Sequence, residues 1–88
     1  MLSEVFQALS DPTRREILRL LREGDLTAGE IAARFPLAKS TLSGHFQVLR
    51  SAGLVVAERQ GTRIVYSIDE SAFEEAVGAF LALLGRKS

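Results

Sequence analysis

The side chains best suited to chemistry lie between Arg34 and Arg63. That stretch holds five bases, Arg34, Lys39, Arg50, Arg59 and Arg63, against the single acid Glu58, a local balance of +4 in a chain of zero formal net charge. Within it fall Lys39, Ser40, Thr41, Ser43, Gly44, His45 and Gln47, followed by a second polar group, Arg59, Gln60, Thr62 and Arg63. Hydroxyls, amides and cationic heads of this kind exchange hydrogen bonds and hold anions. A catalytic set would need a convergent nucleophile, acid and base, and no serine, histidine and acid stand in a recognisable local motif. The chain has no cysteine and one histidine. Disulfides, thiolate nucleophiles and thiolate metal sites are thereby removed, and a lone histidine cannot build a tetrahedral zinc site unless two chains pool their ligands. We expect no enzyme, no metal and no cofactor.

The polar residues must be held by elements, and the punctuation of the chain predicts them. Leu2, Val5, Phe6 and Leu9 recur at helical spacing, giving a short opening helix that Ser10-Asp11-Pro12 ends. Asp11 as N-cap and Pro12 at the first helical position start a second helix with the stripe Ile17, Leu18, Leu20 and Leu21, closed by Gly24. Thr27-Ala28-Gly29-Glu30 has the form of a capping box. It opens a third helix, which buries Ile31, Ala32 and Phe35 and stops at Pro36. After the turn Pro36-Leu37-Ala38, the residues Leu42, Phe46 and Leu49 form one stripe of a fourth helix, from about Lys39 to Gly53. Leu54 to Gln60 and Arg63 to Ile68 are rich in β-branched residues and flank Gly61-Thr62, a two-residue hairpin loop. Ser71-Ala72-Phe73-Glu74 fits a second capping box, and Phe73, Ala76, Val77, Phe80, Leu81 and Leu84 carry a last helix to the C-terminus.

A short helix, a tight turn and a second helix with a polar outer face form the plan of a helix-turn-helix, and a hairpin straight after it makes a wing. The fold expected is mainly α with a β-hairpin wing, a winged helix-turn-helix in the order of four helices, two strands and a fifth helix. Opposite its apolar stripe, the fourth helix presents Ser40, Ser43, Gly44, Gln47 and Ser51. An outer face this slim fits the major groove of double-stranded DNA. Gln47 suits an adenine edge, Thr41 offers a methyl group to thymine, and Ser40 and Ser43 reach bases or phosphates. Glycine inside a helix costs about 1 kcal/mol relative to alanine, and close approach of backbone to DNA would account for Gly44. His45 lies at the edge of the buried stripe, suited to a phosphate or to a hydrogen bond between helices. At the wing, Arg59, Gln60, Thr62 and Arg63 bracket a tip that can lay guanidinium groups on phosphates or into the minor groove.

Length and composition set the frame. Residues 1–88 suffice for one domain, and 47% hydrophobic with 25% charged residues is the balance of a globular chain. No apolar run approaches the roughly 20 residues that span a bilayer, and the N-terminus lacks the basic-then-apolar plan of a signal peptide. A cytoplasmic protein without stable membrane insertion is expected. The acids Asp69, Glu70, Glu74 and Glu75 gather away from the basic stretch, so one end of the molecule would face phosphate while the other avoids it.

The run Ala8-Leu9-Ser10-Asp11-Pro12-Thr13-Arg14-Arg15-Glu16-Ile17-Leu18 resembles the opening signature of the ArsR family of bacterial repressors. Leu26 to Ala32, Ser40 to Leu49, and Ala52-Gly53-Leu54-Val55 resemble its helix-turn-helix in order and spacing. Within the family the wording Gly24 to Ala32 is most similar to short, metal-independent autorepressors of the SdpR-like group. The resemblance implies a homodimer joined through the first and last helices, here Leu2, Val5, Phe6, Leu9, Phe73, Val77, Phe80, Leu81 and Leu84. So small a chain cannot bury all of these in one core, and an apolar patch left outside marks an interface. The cysteine pair of the family's metal sensors has no counterpart in Thr27 to Arg34, and their aspartate-histidine ligands on the last helix find only Asp69 and neighbouring glutamates. Metal-responsive release is therefore not expected, and an inducer, a partner protein or abundance remains open as the signal. The rival reading is a winged helix that binds protein, since fold alone does not determine function.

Overall fold

Asp11 and Pro12 separate the first two helices as their chemistry requires. In the computed structural model, which describes residues 2–85, helix α1 (Leu2–Leu9) ends just before them and α2 (Pro12–Glu23) begins. The Asp11 carboxylate accepts the N–H groups of Thr13 at 2.8 Å and Arg14 at 3.1 Å, which satisfies donors that a helix start leaves without partners. Next come a two-residue strand β1 (Leu26–Thr27), helix α3 (Ala28–Ala32), helix α4 (Lys39–Ser51), the hairpin β2 (Val55–Gln60) and β3 (Arg63–Ile68), and helix α5 (Glu70–Leu83). The expected mainly helical winged plan is present. The last helix was expected to reach the C-terminus; it ends at Leu83, and residues 86–88 lie outside those described.

The wing is a three-stranded antiparallel sheet in the order β1-β3-β2 rather than a bare hairpin. Leu26 pairs with Tyr66 and Thr27 with Val65. Thr27 also caps α3: its hydroxyl accepts the Glu30 N–H at 3.0 Å, and the Glu30 carboxylate accepts the Thr27 N–H at 2.8 Å. One residue thus belongs to both the sheet and the helix-turn-helix. Gly61 closes the hairpin with φ +66°, and Thr62 stays at negative φ, the pattern of a type II′ turn.

Four fully buried aliphatic residues from α2, α3 and α4, Ile17, Ile31, Leu42 and Leu49, meet Leu54 at the centre of the core. Leu54 is placed by a Schellman motif at the end of α4. Its N–H reaches the Leu49 carbonyl at 3.1 Å and the Gly53 N–H reaches Arg50 at 2.9 Å, with Gly53 at φ +77°, a conformation that favours glycine. The ring of Phe46 stacks on Tyr66 at 4.5 Å, which fastens α4 to β3. Burial pushes the Tyr66 hydroxyl pKa up, against a smaller lowering by the Arg50 charge.

Two expectations are corrected. The third helix stops at Ala32, because Arg34 and Phe35 close tight turns onto Ile31 and Ala32 ahead of Pro36, which disfavours helical geometry at Phe35. The last helix is capped by Asp69, whose side chain takes the Ala72 N–H at 3.1 Å, and not by Ser71. The Asp69 N–H itself is bonded to Leu54 at 3.0 Å, so the sheet delivers the chain to its helix two residues earlier than the capping-box pattern suggests. Val5 is buried in the core, and Leu9 and Phe73 pack against it. Val5 lies inside the single chain, while Leu9 and Phe73 keep part of their surface exposed.

Candidate nucleic-acid interface

Helix α4 is amphipathic in the sense needed for a groove. Leu42, Phe46 and Leu49 are buried, while Lys39, Ser40, Thr41, Ser43, Gly44, Gln47, Arg50 and Ser51 are exposed. No side chain on the exposed face from Ser40 to Gln47 is longer than that of Gln47. A methyl group added at Gly44 would meet nothing within 4 Å, so packing inside the chain does not require glycine there. Gly44→Ala is expected to stabilise the protein by about 1 kcal/mol, the helix propensity difference. If the backbone approaches DNA closely at this point, operator affinity falls in the same variant. Thermal unfolding with a binding titration checks both, and unchanged affinity removes Gly44 from the interface.

The start of α4 differs from that of its neighbours. Asp11, Thr27 and Asp69 cap α2, α3 and α5 with their side chains, whereas Ala38 gives α4 no side-chain cap. Its first N–H groups carry the positive end of the helix dipole. Beside them, Ala28, Gly29 and Ala32 of α3 and Lys39, Leu42, Ser43 and Phe46 of α4 line a cleft of about 210 Å³.

The wing residues are exposed but not idle. Arg59 donates to the Gly61 carbonyl at 3.3 Å, and Gln60 to the Glu58 carboxylate at 3.3 Å. Cross-strand partners project from the same side of a sheet. The pairs Arg59 with Ile64 and Gln60 with Arg63 therefore set the two arginines on opposite faces. Hydrogen bonds from the Thr27 N–H and hydroxyl hold the Glu30 carboxyl below its usual pKa, against burial, with the charges of Arg63 and Arg34 adding to the effect. Arg34 and Arg63, distant in sequence, thus act on one carboxylate at the start of α3.

His45 turns away from the outer face. Its Nδ1 lies 3.1 Å from Nη1 of Arg14 and 3.9 Å from Oδ2 of Asp11, so the structure realises the helix-to-helix hydrogen bond. Arg14 also donates from Nε to the Ala8 carbonyl at 2.9 Å and from Nη2 to Gln7 at 3.0 Å, and Arg15 donates to Leu9 at 2.8 Å. Two arginines of α2 thereby close the C-terminal end of α1, which has no base of its own in its last turn. Burial works against the Asp11 charge, but the Arg14 and Thr13 N–H groups, helped by the His45 ring when it is protonated and by the Arg14 charge, hold its pKa below the carboxylate norm. Nothing local to Arg14 announces this role. Its only signal was its place in the family-like opening run, because its partners lie at separate points of the chain.

Away from α4, an apolar strip joins the first and last helices. The rings of Phe6 and Phe80 meet edge to face at 5.5 Å, yet Phe6 is 44%, Val77 54%, Phe80 52%, Leu83 69% and Leu84 68% exposed. Leu2 and Leu81 are partly covered, and no residue of α5 is fully buried. Leu83 belongs to this strip although its sequence position had not singled it out. Among the described residues, no three His, Cys, Asp or Glu side chains gather as a metal-binding group. No helix there is long and apolar enough to cross a membrane.

Residues 11–56 match the family described as bacterial regulatory protein, arsR family. The transcriptional repressor SdpR of Bacillus subtilis is 38% identical over 85 residues, covering 97% of this chain and 94% of that protein. A crystal structure of an ArsR family transcriptional regulator superposes with a TM-score of 0.85 at 36% identity, over 96% of this chain and 86% of that one. A solution structure from Mycobacterium bovis, described as a homodimeric winged helix-turn-helix DNA-binding domain of a possible ArsR-family regulator, gives 0.73 at 35% identity, over 91% and 76% of the two chains.

Proposed function

The chain belongs to the arsR family of bacterial regulatory proteins, and from that premise we propose that it is a sequence-specific transcriptional repressor, acting on operator DNA as a cytoplasmic homodimer without a metal. The observation that carries the reading is the exposed face of α4, where short polar side chains stand over a wholly apolar buried stripe. The uncapped start of that helix adds N–H groups suited to a phosphate. Absence of cysteine and engagement of the lone histidine by Arg14 support release by something other than a thiolate or imidazole metal site. The Phe6, Val77, Phe80, Leu83 and Leu84 strip supports pairing of two copies. A two-fold dimer would set its α4 helices against half-sites about 34 Å apart.

The test is a gel-shift titration against DNA upstream of the protein's own gene, with salt varied and a scrambled competitor present. Preference for that DNA supports autorepression. Preference for another operator keeps the repressor reading without it, and no preference for any sequence favours a winged helix that binds protein. Two substitutions divide the labour. Arg63→Ala is expected to weaken binding to all sequences alike and to flatten the salt slope by about two ions, one for each subunit. Gln47→Ala is expected to cost about 1–3 kcal/mol for each half-site on the preferred sequence alone. Equal effects from the two variants across sequences would rule out this division.

A further inference from the structure

We propose that His45 is a positioning residue, which in its neutral form ties the DNA-reading helix to the α1–α2 corner through Arg14 and releases that tie when it is protonated. The inference rests on the reading of α4 as the helix that enters DNA, and it adds a pH-dependent element which that reading does not contain. A guanidinium has hydrogens to give and no lone pair. The 3.1 Å contact from Arg14 Nη1 therefore requires ring Nδ1 to accept, with the proton on Nε2. Arg14 is shared between two jobs, since its Nε and Nη2 hold the Ala8 and Gln7 carbonyls at the end of α1. One side chain thus fixes the angle between the helix that carries Phe6 and the helix that carries Ser40, Ser43 and Gln47.

Protonation of His45 places an N–H and a positive charge on Nδ1, facing another cation at hydrogen-bond distance. The Arg14 bond is lost and the guanidinium is driven off. The charged groups found beside the ring are Arg14 and Asp11, both at the start of α2, and α1 meets Arg14 through the Gln7 and Ala8 carbonyls. On its own helix, the residues one turn away are Thr41, Leu42, Val48 and Leu49, all uncharged. Asp11 at 3.9 Å is the remaining partner for the imidazolium, but its Oδ2 already accepts both capping bonds of α2. Pairing there competes with the cap that starts the helix bearing Arg14. Both consequences loosen the corner.

The sign of the pH effect separates this role from the alternative. A histidine that contacts phosphate gains affinity when it becomes charged, whereas a histidine that positions α4 through Arg14 loses it. His45 is the only histidine and cysteine is absent, and histidine is the side-chain type that changes charge between about pH 5 and 8. Operator affinity of the whole protein is measured at about pH 7.5 and about pH 5.5, with His45→Asn beside it, because the asparagine carbonyl takes the place of Nδ1 as an acceptor and does not titrate. The expected result is a fall of roughly tenfold in the unsubstituted protein on acidification, the weight of one lost hydrogen bond to a charged group, with His45→Asn keeping the neutral-pH affinity and losing the pH dependence.

A flat or rising profile in the unsubstituted protein overturns the proposal. So does a His45→Asn variant as weak at neutral pH as His45→Ala. A DNA-free arm judges the tie independently of the regulatory reading. In nitrogen-detected spectra, neutral His45 is expected in the Nε2–H form, and the Ala8 and Leu9 amides are expected to shift with the imidazole titration and to stay still in His45→Asn. If no DNA is bound at any pH while those amides move, the repressor reading fails and the tie stands. If they do not move, the tie fails.

Discussion

Phe80→Glu is expected to leave a folded single chain that no longer assembles and no longer holds its operator. The ring of Phe80 is 52% exposed and lies on the outer strip beside Phe6, outside the buried cluster that holds the chain together. Its loss costs the monomer little. Across a two-fold interface the same substitution occurs twice. Burial of a phenylalanine contributes about 2 kcal/mol, so two such losses amount to about 4 kcal/mol, roughly a thousandfold in the dimer constant. Two carboxylates brought to one interface add repulsion. Separate monomers then forfeit the gain from binding two half-sites together, commonly about a hundredfold or more. Sedimentation equilibrium should report one 9.6 kDa chain where the unsubstituted protein reports two. An unsubstituted monomer at micromolar concentration, or a Phe80→Glu dimer, would contradict the assignment of this strip.

Ser43→Glu should abolish operator binding while leaving fold and assembly intact. Ser43 is exposed on the outer face of α4, and glutamate is the better helix former, so the free protein has no reason to lose stability. Against DNA the new carboxylate faces phosphates of its own sign in both subunits, at a cost of several kcal/mol, or at least about a hundredfold in affinity. Ser43→Gln carries the same bulk without the charge and is expected to lose much less. Equal losses would mean that size rather than charge governs this face. Unimpaired binding by Ser43→Glu would move the DNA contact away from α4.

Much of this architecture is legible in the chain because local chemistry and the final fold agree. Asp11-Pro12, the Thr27 and Glu30 box and the Gly61-Thr62 turn each satisfy backbone groups within a few residues of themselves, and they hold in the structure. The polar face of α4 was readable for the same reason, since a helix converts spacing directly into sides. What escaped depends on partners far along the chain. Nothing in Leu26-Thr27 announces a strand; the pairing is dictated by Val65 and Tyr66. Spacing puts Val5 and Phe6 on one stripe but cannot say that the first enters the core while the second stays outside. The His45 contact needs Arg14 from another helix, and the bond that fixes where α5 starts joins the Asp69 N–H to the Leu54 carbonyl.

Thr27 gives the molecule a mechanical property. Because the same residue pairs with Val65 in the sheet and caps α3, the wing and the helix-turn-helix share a rivet rather than a hinge, and the stacked rings of Phe46 and Tyr66 brace them a second time. The distance from α4 to the inner part of the hairpin, at Val65 and Tyr66, then behaves as a fixed gauge. When the gauge and a straight duplex disagree, the duplex does the yielding. Sequences that bend or narrow at little elastic cost are favoured at base pairs that no side chain touches.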